Sequence, residues 1–162
     1  MAETESDSQF EEFWDELLRD AEVSGEPQRA SFFRMYAELA AENGDCADLV
    51  YCPVIREGSR PYQVDGYALD RDRGELHVAV CDFRPERTLQ NLNADGINSI
   101  FNRVRRFCEY AIRQDFLKGL EEVSSEFELA WFIQENADFI KRIRCVMFSN
   151  ARLATRKKTL EA

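Results

Sequence analysis

Residues 62–83 read YQVDGYALDRDRGELHVAVCDF, and this stretch decides the fold. It contains two apolar runs, 62–70 and 75–83, joined by the polar turn 70–74. Apolar runs of this length between turn residues are typical of β-strands. Gly74 provides the backbone freedom that a tight turn requires. The stretch therefore predicts a hairpin in which residues 62–70 pair antiparallel with residues 75–83.

The flanking sequence alternates between helical and strand patterns. Apolar residues at helical spacing predict four helices, at 10–21, 28–42, 94 to about 118, and 125–137. Short apolar runs predict two further strands, at 48–55 and 143–149. The predicted order is α-α-β-β-β-α-α-β. This order indicates an α/β fold, with a three-stranded antiparallel meander plus a returning strand, flanked by helices.

The charge is unevenly distributed over the 162 residues, whose formal net charge is −10. Residues 1–26 hold ten acids and one base, which predicts a solvated acidic arm and helix. Residues 141–162 hold seven bases and one acid. A net acidic domain is a poor general binder of nucleic acid, because that binding depends on phosphate neutralisation. No stretch approaches the roughly 18 apolar residues of a membrane helix, and the acidic start is unlike a signal peptide. We expect a cytoplasmic protein without a membrane partner.

Cysteine and histidine usage excludes several mechanisms. The five cysteines are odd in number, widely spaced and without a CxxC pair, so we expect reduced core thiols. The single histidine, His77, lies within an apolar strand pattern, which argues against a Ser-His-Asp or Cys-His catalytic site. No phosphate-binding GxGxxG or GxxxxGK[ST] loop occurs.

Three segments carry a family resemblance. They are VDGYALD at 64–70, CDF at 81–83, and a later helix with an apolar stripe of Ile97, Ile100, Phe101, Val104 and Phe107. Together they resemble the amino-terminal region of the AIPR (abortive infection, phage resistance) family, over roughly residues 30–156. The resemblance implies bacterial phage defence and a restriction-endonuclease-like core, whose element order matches the one predicted above.

The resemblance also implies a division of the chain. Residues 1–26 are the acidic arm and helix, 27–156 are the nuclease-like α/β domain, and 157–162 are a tail at the truncation point of a longer protein. The expected partner is then the C-terminal remainder of the same protein. Nucleic acid and a second copy of the chain are the other partners considered.

A PD-(D/E)xK nuclease needs two carboxylates that hold a divalent metal and a Lys that positions water. Asp65 fits the first acid, and Asp82 and Arg84 fit the (D/E)xK pair, since residues two apart in a strand share a face. Arg84 stands where Lys belongs, and Arg stays protonated and cannot act as a base. Asp65 and Asp82 are therefore the candidate metal ligands of a degenerate site. Glu38 or Glu42 is a possible third ligand. We expect no cofactor, and Mg²⁺ only if the site is active.

The sequence is compatible with three functions. The leading one is a non-catalytic, nuclease-like module for recognition or assembly, in which Arg103 and Arg106 join Arg84 in touching phosphate. The second is a metal-dependent nuclease that uses Asp65, Asp82 and Arg84. The third is a pure protein-interaction module. A purely structural explanation also exists, because Asp65-Gly66 can be a strand irregularity and Asp82 can bond to backbone.

Overall fold

The computed structural model describes residues 5–86 and 88–153. Its elements follow the predicted order, with short additions. The helices are α1 (Glu5–Ser24), α2 (Gln28–Glu42), α3 (Ala94–Ala111), a 3₁₀ helix (Gln114–Gly119) and α4 (Ser125–Glu135). The strands are β1 (Val50–Arg56), β2 (Tyr62–Asp70), β3 (Glu75–Asp82), β4 (Asn91–Leu92), β5 (Arg142–Ser149) and β6 (Arg152–Leu153).

The main sheet has four strands in the order β1-β2-β3-β5. β1 pairs with β2 antiparallel, and β2 pairs with β3 antiparallel. β5 returns parallel to β3 along its whole length. The predicted meander with a returning strand is confirmed, and so is the 62–83 hairpin, whose turn holds Gly74 at φ 65°. β4 and β6 form a separate parallel pair that the sequence patterns did not predict.

The sheet lies between two helical layers. Along β3, Leu76, Val78 and Val80 belong to a core with α3 and α4, whereas Ala79 and Cys81 belong to a second core with α1 and α2. Successive strand side chains point to opposite faces, so the two cores fill the two sides of the sheet. The α1 side chains Trp14 and Leu17 are buried in the second core. The result is a three-layer α/β/α arrangement.

The prediction of one helix from 94 to about 118 was wrong at its C-terminal end. α3 ends at Ala111, and Arg113 adopts an extended conformation before the 3₁₀ helix begins. The Gln134 side-chain amide of α4 donates to the carbonyls of Ala111 and Arg113, at 2.9 and 2.8 Å. These bonds satisfy carbonyls that a longer helix would have used itself. A contact from another helix therefore stabilises the break.

All five cysteines are free thiols, and four of them are buried. Burial is the largest cause that raises their pKa, to about 12 for Cys52 and Cys108 and to about 11 for Cys145. Such thiols are poor nucleophiles, because the thiolate is the reactive form. The cysteines are core residues in this fold.

Candidate functional site

Asp65 is wholly buried in β2, and its carboxylate is fully engaged. Oδ1 accepts two hydrogen bonds from Arg29 of α2, from Nε at 3.0 Å and from Nη2 at 2.8 Å. Oδ2 accepts from the Cys81 backbone N–H at 2.7 Å and from the Gln63 amide at 3.1 Å. A buried carboxylate is tolerated when it is paired and hydrogen-bonded in this way. Each oxygen of Asp65 already has two donors, and Oδ1 carries an ion pair.

The position of Asp65 coincides with the end of the β2–β3 ladder. Main-chain pairing between these strands runs from Asp70 with Glu75 to Gly66 with Ala79. Beyond it, side chains of β2 bind the backbone of Cys81: Asp65 accepts from its N–H, and Gln63 donates to its carbonyl at 3.0 Å. Arg29 also donates to that carbonyl, at 3.4 Å. Asp65 and Gln63 thus replace the missing backbone partners of a buried residue.

Gly66 lets helix α2 approach this point closely. A Cβ at Gly66 would lie 2.4 Å from Phe33 Cζ and 2.7 Å from the Val50 carbonyl oxygen. Phe33 is itself 2% exposed, and its ring packs against those of Tyr51 and Phe148. The absence of a side chain at Gly66 brings α2, and Arg29 with it, within reach of Asp65. The Asp-Gly pair in the sequence is therefore one structural unit.

Asp82 and Arg84 contact each other, as their spacing predicted. Asp82 Oδ2 accepts from Arg84 Nε at 3.2 Å and from Ser149 Oγ at 2.7 Å. Arg84 Nη1 donates to Gln90 Oε1 at 2.9 Å. The buried Asn150 side chain binds both the N–H and the carbonyl of Arg84, at 3.0 and 2.9 Å. Arg84 is held in a network that ties the end of β3 to the segment after β5.

The two candidate acids point away from each other. Asp65 contacts Arg29 of α2, on the side of the sheet that α1 and α2 cover. Asp82 follows Cys81, whose side chain packs in that same core, so alternation places Asp82 on the opposite side. Glu38 and Glu42 are exposed on α2. Among the described residues, no group of three metal-ligand side chains includes Asp65 or Asp82.

The helix arginines take two different environments. Arg106 donates to the backbone carbonyl of Pro61, just before β2. Arg103 is partly buried and makes no hydrogen bond or ion pair with the described part of the chain. Neither shares a contact with Arg84, whose partners lie at 82, 90, 91 and 150.

The sequence patterns did not predict the roles of Arg29 and Gln63, because nothing in local spacing links Arg29 to an acid 36 positions away.

In residues 5–86 and 88–153, one group of three ligand-type side chains converges: Asp70, Glu75 and His77. His77 is 2% exposed, and its Nδ1 accepts the Ala47 backbone N–H at 3.0 Å. The lone pair is therefore on Nδ1, and the ring proton is on Nε2, which has no hydrogen-bond partner. A metal-bound His normally donates from its other nitrogen. In His77 the second nitrogen, Nδ1, accepts a hydrogen bond, so Nε2 carries the proton and has no lone pair for a metal. The three side chains therefore do not fit a metal site.

Fold and site define an α/β domain with a four-stranded sheet between two helical layers and a neutralised acid at the end of the β2–β3 ladder. The family model described as the Abortive infection phage resistance protein N-terminal domain matches residues 32–162, and the chain belongs to this family. No curated protein and no solved structure gives a significant match. None of the helices within the described ranges has the length and apolar character needed to cross a membrane.

Proposed function

We propose that this domain is a non-catalytic, nuclease-like module of a bacterial phage-defence protein, acting in the cytoplasm in recognition or assembly. The meander with a parallel returning strand and flanking helices supports a restriction-endonuclease-like core. The single observation that carries the proposal is the state of Asp65. Its carboxylate is buried and saturated by Arg29, Gln63 and the Cys81 backbone.

Metal binding at Asp65 would require breaking these bonds. A divalent ion needs oxygen ligands with free lone pairs, and Mg²⁺ gives up its waters reluctantly. Arg29 already neutralises the negative charge of Asp65 that the ion would need. If the ion displaced the guanidinium from Asp65, the two positive charges would lie side by side. Asp82 accepts hydrogen bonds from Arg84 and Ser149 on the opposite face of the sheet. In our proposal the two acids and Arg84 stabilise the fold, and hydrolysis has been lost.

A role in assembly is supported by the edge of the sheet. β1 is an edge strand, and it exposes Val50, Tyr51 and Ile55, at 49, 38 and 46%. Unpaired backbone groups beside apolar side chains are a surface on which other strands or chains dock. The matching family is defined as an N-terminal domain. We propose that the partner is the remainder of such a protein, with self-association as the alternative.

A cleavage assay tests the proposal. Purified protein is incubated with single- and double-stranded DNA and RNA in Mg²⁺ or Mn²⁺, beside an Asp65→Ala variant. We expect the same background level of cleavage from both proteins. Metal-dependent cleavage by the wild type that Asp65→Ala removes would instead establish the nuclease alternative.

A further inference from the structure

A cleft lies between the β1–β2 loop and the segment that follows α3. Its volume is about 520 Å³, a size typical of small-molecule sites. Its walls include three arginines, Arg56, Arg60 and Arg113, and three aromatic residues, Tyr62, Tyr110 and Phe116. We call this site the arginine cleft. It shares no lining residue with the Asp65 and Asp82 networks.

Two of the arginines are held against aromatic rings. The Arg56 guanidinium lies 5.8 Å from the centroid of the Tyr62 ring, and that of Arg113 lies 5.2 Å from the Tyr110 ring. The two rings pack edge to face at 6.0 Å. The buried Tyr62 also donates its hydroxyl to Glu126 Oε2 at 2.6 Å. A fixed ring restricts the guanidinium that stacks on it, so less conformational freedom is lost when a ligand binds.

The three cleft arginines are exposed to solvent, and none is held in an ion pair by the described residues. Within the described residues, none of the three cleft arginines has a carboxylate oxygen within 4.0 Å, although Glu57 and Asp115 also line the walls. Two other arginines of the fold do form ion pairs: Arg29 lies 2.8 Å from Asp65, and Arg34 lies 2.7 Å from Asp20. The cleft thus gathers three arginines, none of them ion-paired within the described residues, in a chain of net charge −10.

We propose that the arginine cleft binds the phosphate groups of a nucleotide, either free or at the end of a short strand. The planar guanidinium matches the oxygens of phosphate and forms paired, charge-assisted hydrogen bonds with them. The three guanidiniums can together donate to several oxygens of a phosphate or pyrophosphate group. This inference is independent of whether the Asp65 site is inactive.

The test is calorimetry of the whole chain at low salt with pyrophosphate and ATP, and anisotropy with a labelled 5′-phosphorylated hexanucleotide. The variant is Arg56→Gln/Arg113→Gln. The matched control is Arg105→Gln, which removes one charge from α3 at a residue that is 69% exposed and outside the cleft. Arg60→Gln is a second variant, since Arg60 makes no ring contact whose loss could disturb folding. Thermal unfolding of each variant checks that it is folded.

We expect 1:1 binding that weakens roughly tenfold or more in the double variant, because each lost arginine removes charge-assisted hydrogen bonds. We expect Arg60→Gln to weaken binding and Arg105→Gln to leave it within about twofold, as expected for an exposed charge. Binding of pyrophosphate and ATP identifies a free nucleotide, whereas binding of the hexanucleotide alone identifies a strand end. No binding by the wild type, or equal losses in Arg105→Gln and the double variant, would overturn the proposal.

Discussion

Arg29 Nη2 lies 2.8 Å from Asp65 Oδ1 and joins helix α2 to strand β2 across 36 positions of the chain. The pair is asymmetric, because the Asp65 side chain is 0% exposed whereas that of Arg29 is 27% exposed. Water can reach the cation but not the anion. The acid therefore depends on its protein partners for all of its solvation.

Replacing Arg29 with Met should destabilise the fold by on the order of 3 kcal/mol, because it leaves a buried carboxylate without a counter-charge. The control is Arg34→Met on the same helix, whose partners Asp20 and Glu26 have 29 and 45% exposed side chains. It should cost clearly less, since those acids remain hydrated. Urea unfolding measures both. Equal losses in the two variants would contradict the importance of Asp65 burial.

Gly66→Ala should destabilise the protein by roughly 1–3 kcal/mol, because the new methyl group would overlap the Phe33 ring and the Val50 carbonyl. The control is Gly119→Ala, where a Cβ meets nothing within 4 Å. That variant should stay within about 0.5 kcal/mol of the wild type. Thermal unfolding compares the two. A tolerated Gly66→Ala would mean that α2 does not approach β2 as closely as described.

Arg84→Ala should lower stability by about 1 kcal/mol, because it removes a partly buried ion pair with Asp82 and the bond to Gln90. Its affinity for a short oligonucleotide should equal that of the wild type, since the Arg84 guanidinium is already bound by Asp82 and Gln90. Anisotropy at low salt and thermal unfolding are measured on the same sample. A weaker affinity with unchanged stability would show that Arg84 meets phosphate.

Burial lowers the pKa of His77 below its ordinary value of about 6.5, with Glu75 acting in the opposite direction. Below pH 6.5 His77 binds a proton in the unfolded chain but stays neutral in the folded chain. The stability contribution is therefore present above pH 6.5 and is lost as pH falls toward the lowered folded value, by up to about 1.4 kcal/mol per pH unit.

His77→Asn tests this pH dependence, because its side-chain oxygen can still accept from Ala47 but does not titrate. We expect the stability of the variant to fall less than that of the wild type between pH 7 and 5. Urea unfolding at several pH values measures the difference. Parallel curves for the two proteins would mean that His77 does not contribute.

The cysteine prediction has a direct chemical test. Thiol titration of the denatured protein without reductant should count five free thiols, as expected for a chain without disulfides. The native protein at pH 8 should react slowly, because burial raises the pKa of Cys52 and Cys108 to about 12. A count of three or fewer in denaturant, or rapid reaction of the native protein, would contradict the core role of these residues.

The sequence periodicity predicted those helices and strands whose ends depend on neighbouring residues in the chain. α2 and β2 have the predicted bounds, and Asp82 and Arg84, two residues apart, contact each other just where β3 ends. The end of α3 was not predictable, because Gln134 from another helix stabilises the break. The partner of Asp65 was not predictable either. The sequence pattern drew attention to Asp65 as a metal ligand, whereas its pairing with Arg29 depends on the packing of α2 against Gly66.

The most direct test of the central claim is a calorimetric titration of the wild-type domain with Mn²⁺, beside Asp65→Ala and Arg29→Met. If Arg29 and its neighbours saturate Asp65, the wild type should show only weak binding of the kind exposed acids give, unchanged in Asp65→Ala. One stoichiometric Mn²⁺ site in the wild type that is lost in Asp65→Ala would contradict the claim and favour a working nuclease centre.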